Sequence, residues 1–467
     1  MKRTIYYLTT RILIGSVLIG ISFLLPSCED FVDIDPPITE IVSEDVFDND
    51  AIATAAISGI YTEMFRAQAF THTLTLNNGR AADEFINFSS DVSFQAFFDN
   101  GLDPMNPNLE TYWNEFYGYI HSANAIIEGL ANSTGVTIEI KEQLEGEAKF
   151  IRALCHFYLV NLWGDVPLIT TTDFQTNSRV SRTASAQVYE QIIQDLIEAQ
   201  NLLAEDYSFS GGQRGRPNKS AASALLSRVY LYVGDWQNAE ESASEVIINS
   251  NYNLASDLNE VFLLNSSETI WQLWSVFSGG GINTFDGELL IFSATPTNVA
   301  LRDDLLNSFE TGDERGANWV GSFSDGTDTW YYPFKYKVQD GNQGVPITEA
   351  LSMLRLAEQF LIRAEARAQQ GNVTGSQDDL NMIRNRAGLT NTTANDQTSL
   401  LAAIEQERRV ELFAENSHRW LDLKRTGRTD AVLGVVKPNW QNTDVLYPLP
   451  RADFDKNSNL RPQNPGY

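Results

Sequence analysis

Apolar residues recur at helical spacing along most of the chain, and the densest such stretch runs from Lys149 to Leu168. Ile151, Leu154, Cys155, Tyr158 and Leu162 fall at i, i+3, i+4, i+7 and i+11. Phe150, Ala153, Phe157 and Val160 add a second stripe beside them, leaving only Lys149, Arg152 and His156 as a polar seam. A helix apolar over most of its circumference must be covered on several sides, which places this one in the middle of a helical array. Gly164 can adopt a positive φ at the helix end and Pro167 forbids continuation, so the helix is predicted to stop near Trp163.

The same periodicity predicts helices on both sides of it. A first body helix begins after Ser43, with Ser43 or Asp45 as N-cap and Ile52, Ala55, Ala56, Ile60 and Met64 along one face. Tyr112 to Ile127 and the stretch from Ile138 onward form an antiparallel pair across the polar turn Asn132–Thr137. Ser185–Leu203 places Val188, Ile192, Leu196 and Ala199 inward with Asp195 opposite, and Lys219–Val233 is the next helix. Helices end in Gly-Asp at 164 and 234 and in Gly-Asn at 371, and Ala221–Ile248 and Glu358–Ile383 both read helix, glycine turn, helix. That is a tetratricopeptide style of pairing, with uneven spacing. Glu349–Gln370, Ser376–Ala387 and Ser399–Glu415 complete the helical set. In the last, Glu405, Glu407, Arg408, Arg409, Glu411 and Glu415 read as a solvated or partner-facing side stitched by i, i+3 and i, i+4 pairs.

Two stretches break the pattern. Residues 71–109 are rich in Gly, Asn, Asp and Pro and predict a long loop, the kind of segment that carries function. Asp99–Glu110 superficially follows a calcium loop, but Gly101 at its third place carries no ligand and Pro104 replaces the glycine needed at its sixth. Residues 251–348 form a lobe laid on the scaffold: Glu268–Phe277 predicts a strand, Asn298–Phe309 a helix, and Ser322–Lys337 is aromatic and turn-rich. Residues 431–467 predict an extended tail wrapped over the body.

Charge narrows the partners. The formal charge is −28, and removal of residues 1–27, which carry three basic residues and no acid, takes it to −31, so nucleic acid and anionic lipid surfaces repel the body. Two cysteines permit no disulfide framework; Cys155 reads as a buried thiol, and the four scattered histidines match no metal or catalytic spacing, so neither a cofactor nor a metal is expected. Residues 1–27 read as a signal peptide, with Lys2, Arg3 and Arg11 ahead of the apolar run Ile12–Leu25, which falls short of the roughly 20 residues needed to span a bilayer. Leu25-Pro26-Ser27-Cys28 has the pattern of a lipobox, making Cys28 the lipid attachment residue and residues 28–42 an extended acidic tether to a single body, 43–467.

Taken together, these pieces resemble the SusD/RagB-type nutrient-binding lipoproteins of the Bacteroidetes outer membrane. The resemblance rests on the lipobox followed by Glu29-Asp30-Phe31, RALCHFYLVNLWGDVPL (152–168), ALLSRVYLYVGDWQNA (224–239) and LIRAEARAQQG (361–371). LNMIRNRAGL (380–389), ERRVELFAENSHRWLDLKRTG (407–427), YPLP (447–450) and QNPGY (463–467) extend it over the whole chain. It implies a mainly α protein: a right-handed superhelical scaffold of tetratricopeptide-like helix pairs (43–70, 110–250, 349–430) with an irregular lobe containing short strands (71–109, 251–348). It also implies a cell-surface, lipid-anchored protein that captures a glycan or other oligomeric nutrient for a SusC-like TonB-dependent transporter, without catalysis.

Sugars stack C–H faces on aromatic rings and exchange hydrogen bonds with amides, carboxylates and Arg. On that chemistry the candidate ligand contacts are Phe94, Phe97 and Asn100 in the first irregular stretch, and Trp274, Phe277, Trp319 and Trp330 in the second. Trp271 and Trp274 lie on alternate sides of the predicted strand, so one of them faces outward. Trp113, Trp163, Trp236 and Trp420 read as packing. Two other classes compete: a surface glycoside hydrolase, for which no convergent carboxylate pair is visible, and a protein-only scaffold, which leaves the aromatic lobe and the lipid anchor unexplained.

Overall fold

The structure, a computed structural model, describes residues 45–71, 73–274, 282–339 and 346–467, and residues 47–467 form one compact unit. The signal peptide, Cys28, the tether, Phe277 and the loop to Gly281 lie outside the described residues.

The first helix, α1 (Asp50–Arg66), starts later than the pattern suggests because Asn49 caps it, its side chain accepting from the backbone N–H of Ala51 and Ile52 at 3.1 Å each. Next come α2 (Thr73–Ala81), strand β1 (Phe85–Asn87) and α3 (Val92–Phe98), so the predicted long loop is half regular. All of α2 is buried: its polar residues Asn77, Asn78 and Arg80 face protein partners, which hides a core helix behind a hydrophilic composition.

The scaffold then runs through α4 (Pro107–Asn132), α5 (Ile138–Trp163), α6 (Ser185–Leu202), α7 (Lys219–Val233) and α8 (Trp236–Ile247), each packed on the next. The central helix α5 contacts α1, α4 and α6 and is buried almost continuously from Leu144 to Trp163. Its polar seam is paired across helices. Arg152 forks onto Asp195 of α6 (2.6 and 2.8 Å) and reaches Asn124 of α4 (2.8 Å), and Lys149 meets Glu198 (2.6 Å). Asp195 is therefore a buried partner and not an outward residue. Cys155 is fully buried, which pushes its thiol well up, and burial lowers His156 to about 3. The helix stops at Gly164, whose φ of 73° and ψ of −125° only glycine adopts without strain.

In the lobe, β2 (Thr269–Leu273), β3 (Val299–Leu301), β4 (Val320–Ser324), β5 (Thr329–Pro333) and β6 (Leu351–Arg355) form three antiparallel pairs: β1 with β3, β2 with β6, and β4 with β5. The predicted helix over 298–309 is thus a strand followed by one helical turn, Asp303–Leu306. The predicted helix from Glu349 begins only at Leu356, because residues 351–355 are drawn into the sheet by β2. Then follow α9 (Leu356–Gln369), α10 (Val373–Arg386), α11 (Gln397–Glu411), α12 (His418–Arg425) and α13 (Thr429–Val436). The tail is not wholly extended, since Arg451–Lys456 is helical, but it is anchored: Tyr447 and Leu449 are buried, and Asn464 donates to the carbonyls of Trp163 (2.8 Å) and Tyr447 (2.7 Å).

The charged constellation of α11 does not face solvent. Glu407, Glu411 and Glu415 are buried and gather cations from four elements. Arg355 at the end of β6 bonds Glu268 (2.9 Å), Glu411 (2.6 Å) and Glu415 (2.7 Å). Arg315 bonds Asp313 (2.8 Å), Glu407 (2.7 Å) and Glu411 (2.9 Å), while Arg386 reaches Glu268 (2.7 Å) and Glu411, and Lys335 meets Glu415. Helical i, i+4 spacing is the same for a solvated and a buried charge row; what distinguishes them is the opposing arginines, which lie distant in sequence. The network joins lobe to scaffold.

Asp286, packed beside it, is the ill-fitting member. Burial, reinforced by the charge on Glu415, raises its carboxyl to about 8. A carboxyl raised in the folded state binds a proton the unfolded chain has released, so stability falls as pH climbs from about 4 to about 8. Asp286→Asn should therefore be indistinguishable from the parent near pH 4 and more stable above it, the gap widening by up to about 1.4 kcal/mol per pH unit until about pH 8. Denaturant melts at four pH values check this; a gap that stays constant with pH contradicts it.

Candidate functional site

The first element of the site is a corner built by α2, β1 and α3. Arg80, 1% exposed, is held by three amides: Nη1 donates to Asn77 (2.7 Å), Nε to Asn87 (3.0 Å) and Nη2 to Asn298. Burial lowers its guanidinium to about 10. The fixed plane lies 4.7 Å from the centroid of the Phe94 ring, a cation–π contact that orients that half-buried ring. Asn87 also donates to Gln95 (2.7 Å). Beyond β1 the pairing continues, the N–H of Phe88 bonding the carbonyl of Asn298 at 2.9 Å, and Phe88 itself is exposed.

The second element is the β4–β5 hairpin, whose β5 contacts β3, the strand paired with β1. Its register sets Phe323 opposite Trp330 and Gly321 opposite Tyr332. Residues directly opposite in an antiparallel pair point to one face, and Phe323 and Trp330 indeed stack, with centroids 6.4 Å apart and planes at 15°. The Tyr332 ring crosses Gly321, where any Cβ would collide with it, and it meets Phe292 edge-on at 4.7 Å. Half-buried rings are thus left at Phe94 in the corner and at Phe292, Phe323, Trp330 and Tyr332 on or against the hairpin, and the corner also holds the half-buried amides of Asn87, Gln95 and Asn298.

Of the sequence-predicted contacts, Phe94 lies in the corner and Trp330 on the hairpin, both half-buried. Four others do not belong to either. Phe97 is fully buried, edge-on to Tyr447 at 5.6 Å. Asn100 is buried behind the same helix with a φ of 54°, its amide donating to the Ala81 carbonyl at 3.1 Å. Trp319 is fully buried, its indole N–H donating to the Leu258 carbonyl at 3.0 Å and its face lying 4.8 Å from Lys335. Trp274 is half-buried and borders a separate cavity of about 220 Å³ with Tyr61, Gln213, Arg216 and Gln272, while Trp271 is in the core. Asn283 and Phe285 serve structure: the Asn283 side chain accepts from the N–H groups of Thr348 (2.7 Å) and Glu349 (2.9 Å), and Phe285 packs on Phe65.

Sequence reasoning missed Arg80, Asn87, Phe292, Asn298, Phe323 and Tyr332. Phe323 and Tyr332 were within reach, since with the predicted Trp330 they flank the turn sequence Asp325-Gly326-Thr327-Asp328 with period-2 spacing. Asn298 was not: nothing local marks an amide that binds an arginine more than two hundred residues away.

Two family descriptions match this chain, "Starch-binding associating with outer membrane" over residues 30–231 and "SusD family" over residues 314–467. The chain belongs to the SusD/RagB family. SusD-like protein P2 of Formosa agariphila is 29% identical to it, across 95% of this chain and 97% of the relative. The starch-binding protein SusD of Bacteroides thetaiotaomicron is 25% identical, across 72% of this chain and 75% of its own. A solved laminarin-binding SusD-like protein superposes with a TM-score of 0.77 at 25% identity, across 90% of this chain and all of that one. The mainly helical architecture is thus that of the SusD family. In this SusD-family chain no described helix is long and apolar enough to cross a membrane. Among its described residues no group of three or more His, Cys, Asp or Glu is placed to hold a metal ion.

Proposed function

We propose that this SusD-family protein is a non-catalytic, lipid-anchored surface protein that captures a glycan on the Phe94–Trp330 surface and passes it to a SusC-like TonB-dependent outer-membrane transporter. The observation that carries the reading is the set of rings left half-exposed among fixed amides. Rings buried for packing, such as Phe97 and Trp319, are sealed, whereas Phe94 and the Phe323–Trp330 stack each leave area open while their positions are fixed from behind. Such a surface presents apolar faces to sugar C–H groups and amides to sugar hydroxyls without first having to order itself. The starch- and laminarin-binding relatives support a glycan as the ligand class.

The test is an affinity panel of starch, laminarin and other polysaccharides with product analysis of each mixture. Saturable binding with no new reducing ends supports capture; release of oligosaccharides assigns a hydrolase instead. Co-purification with a transporter and no glycan binding at all would leave a protein-binding scaffold. The anchor is tested separately. Cys28→Ser should move the protein from the membrane pellet to the soluble fraction, because acyl chains contribute about 0.8 kcal/mol per buried CH₂ and nothing else in the acidic body replaces that. Retention in the pellet after this change would remove Cys28 from the reading.

A further inference from the structure

The corner that holds Phe94 is closed by a residue from the far end of the chain. Helices α2 and α3 pack on each other, and the last four carbonyls of any helix have no partner within it. At the end of α2, the Asn78 carbonyl accepts from the N–H of Ala82 at 2.8 Å, the Gly79 carbonyl from the N–H of Glu84 at 3.3 Å, and the Ala81 carbonyl from the Asn100 side chain at 3.1 Å. At the end of α3, the carbonyls of Gln95, Ala96 and Phe97 accept from the N–H groups of Asp99 (2.9 Å), Gly101 (2.9 Å) and Asn100 (3.2 Å). One carbonyl is left over in each helix, that of Arg80 in α2 and that of Phe98 in α3. A single side chain takes both: Nζ of Lys437, the residue directly after α13, donates to the Arg80 carbonyl and, at 2.8 Å, to the Phe98 carbonyl.

Lysine side chains commonly bond the last carbonyls of a helix, but from its own last turn and at the surface. Lys437 is 3% exposed, serves two helices that precede it by more than three hundred residues, and lies 4.0 Å from the centroid of the Phe98 ring. Burial, reinforced by Arg302 and opposed by Asp83 and Asp99, lowers its ammonium to about 7. Charged or neutral, the nitrogen keeps the two N–H groups that two carbonyls need, so the tie holds on both sides of neutrality. The helices it joins carry the two halves of the contact that orients the candidate ring, Arg80 on α2 and Phe94 on α3, with the guanidinium 4.7 Å from the ring centroid. Any change in how the two helix ends meet therefore moves ring and cation relative to each other.

We propose that Lys437 is a positioning residue for ligand binding at this corner: by holding the ends of α2 and α3 together it fixes the Phe94 ring over Arg80. It acts through those helices and not by touching the ligand. Without it, two carbonyls lose their donor, α3 is tied to α2 at this end through Asn100, and the ring samples positions off the guanidinium. A ligand then has to order the ring as it binds, and affinity falls by that cost. The use of the ring rests on the glycan reading; its placement does not.

The test places 4-fluorophenylalanine at position 94 of the whole detergent-solubilised chain and reads its fluorine NMR signal without ligand, beside polysaccharide affinity by isothermal titration. Lys437→Met keeps the apolar stem and removes the donors. The signal should move toward its position in the urea-unfolded chain, and affinity should fall by roughly three- to tenfold, the cost of ordering one side chain on binding. Lys437→Gln, whose shorter amide cannot span both carbonyls, should move both readouts in the same direction and serves if Lys437→Met does not fold. Lys424→Met is the comparison: Lys424, on α12, also donates to a backbone carbonyl, that of Asn161, but ties neither helix end, so both readouts should stay as in the parent. A signal and an affinity unchanged in whichever Lys437 variant folds overturn the proposal. So does an equal change in Lys424→Met, which assigns the effect to general destabilisation. A parent chain that binds no polysaccharide overturns the glycan reading instead, and the ligand-free fluorine signal still decides the placement.

Discussion

Replacing Arg355 by alanine should cost about 3–5 kcal/mol of folding stability, the largest single effect expected outside the aromatic core. Arg355 is buried and contacts Glu268, Glu411 and Glu415 at once, so its removal leaves three buried carboxylates to the cations that remain, Arg386 on Glu268, Arg315 and Arg386 on Glu411, and Lys335 on Glu415, in an interior that cannot hydrate the deficit. Burial alone would raise Glu411, but Arg386, Arg355 and Arg315 outweigh it and hold the carboxyl well below the usual range. Glu415 is likewise lowered, burial being outweighed by Arg355 and Lys335. The sign follows from linkage. A carboxyl depressed in the folded state contributes stability that is complete above its unfolded value of about 4.5 and is lost as pH falls below it toward the folded value. The parent should therefore lose stability steeply below about pH 4.5, and Arg355→Ala should show a shallower acid limb from a lower starting point. Urea melts at pH 7 and pH 4 measure both; an Arg355→Ala protein within about 1 kcal/mol of the parent at pH 7 would mean that the network is hydrated.

Trp330→Ala should reduce glycan affinity by roughly tenfold to a hundredfold while moving the melting transition little, in line with the about 2 kcal/mol or more expected of an aromatic anchor at a binding surface. The ring is half-exposed on a hairpin and stacks on Phe323, so its loss removes a ligand platform and leaves the core intact. Phe94→Ala should act in the same direction, and the double variant should lose all measurable binding. Trp319→Ala is the contrast: its fully buried ring predicts a fall in stability of about 3–5 kcal/mol. Isothermal titration against whichever polysaccharide binds the parent, beside thermal melts, separates the two behaviours. Unchanged affinity in the Phe94/Trp330 double variant would move the site to the cavity beside Trp274.

How much could be read beforehand depended on where each residue's partner lies. Lys219–Val233 was legible to the residue, because its signals are local: Asn218 caps its start, and Gly234, with a φ of 77°, ends it. The strand at 351–355 was not, because its β structure is imposed by a partner some eighty residues earlier, at 269–273. Phe97 and Phe94 look alike in sequence; they differ in what the fold brings to them, Tyr447 onto Phe97 and Arg80 onto Phe94.

The helical periodicity, the glycine stops, the family and the chemistry of aromatic rings beside amides are all written in residues close to one another or in composition. Which charges are inside and which rings remain open depends on contacts between distant segments. Glu411 becomes a buried hub because Arg315, Arg355 and Arg386 arrive from elsewhere in the chain, and the Phe94 ring is held half-buried over an arginine that Asn298 fixes from far along the chain. Burial and exposure belong to pairs of surfaces brought together by the fold, and helix periodicity at one of them is the same whether the other is protein or water.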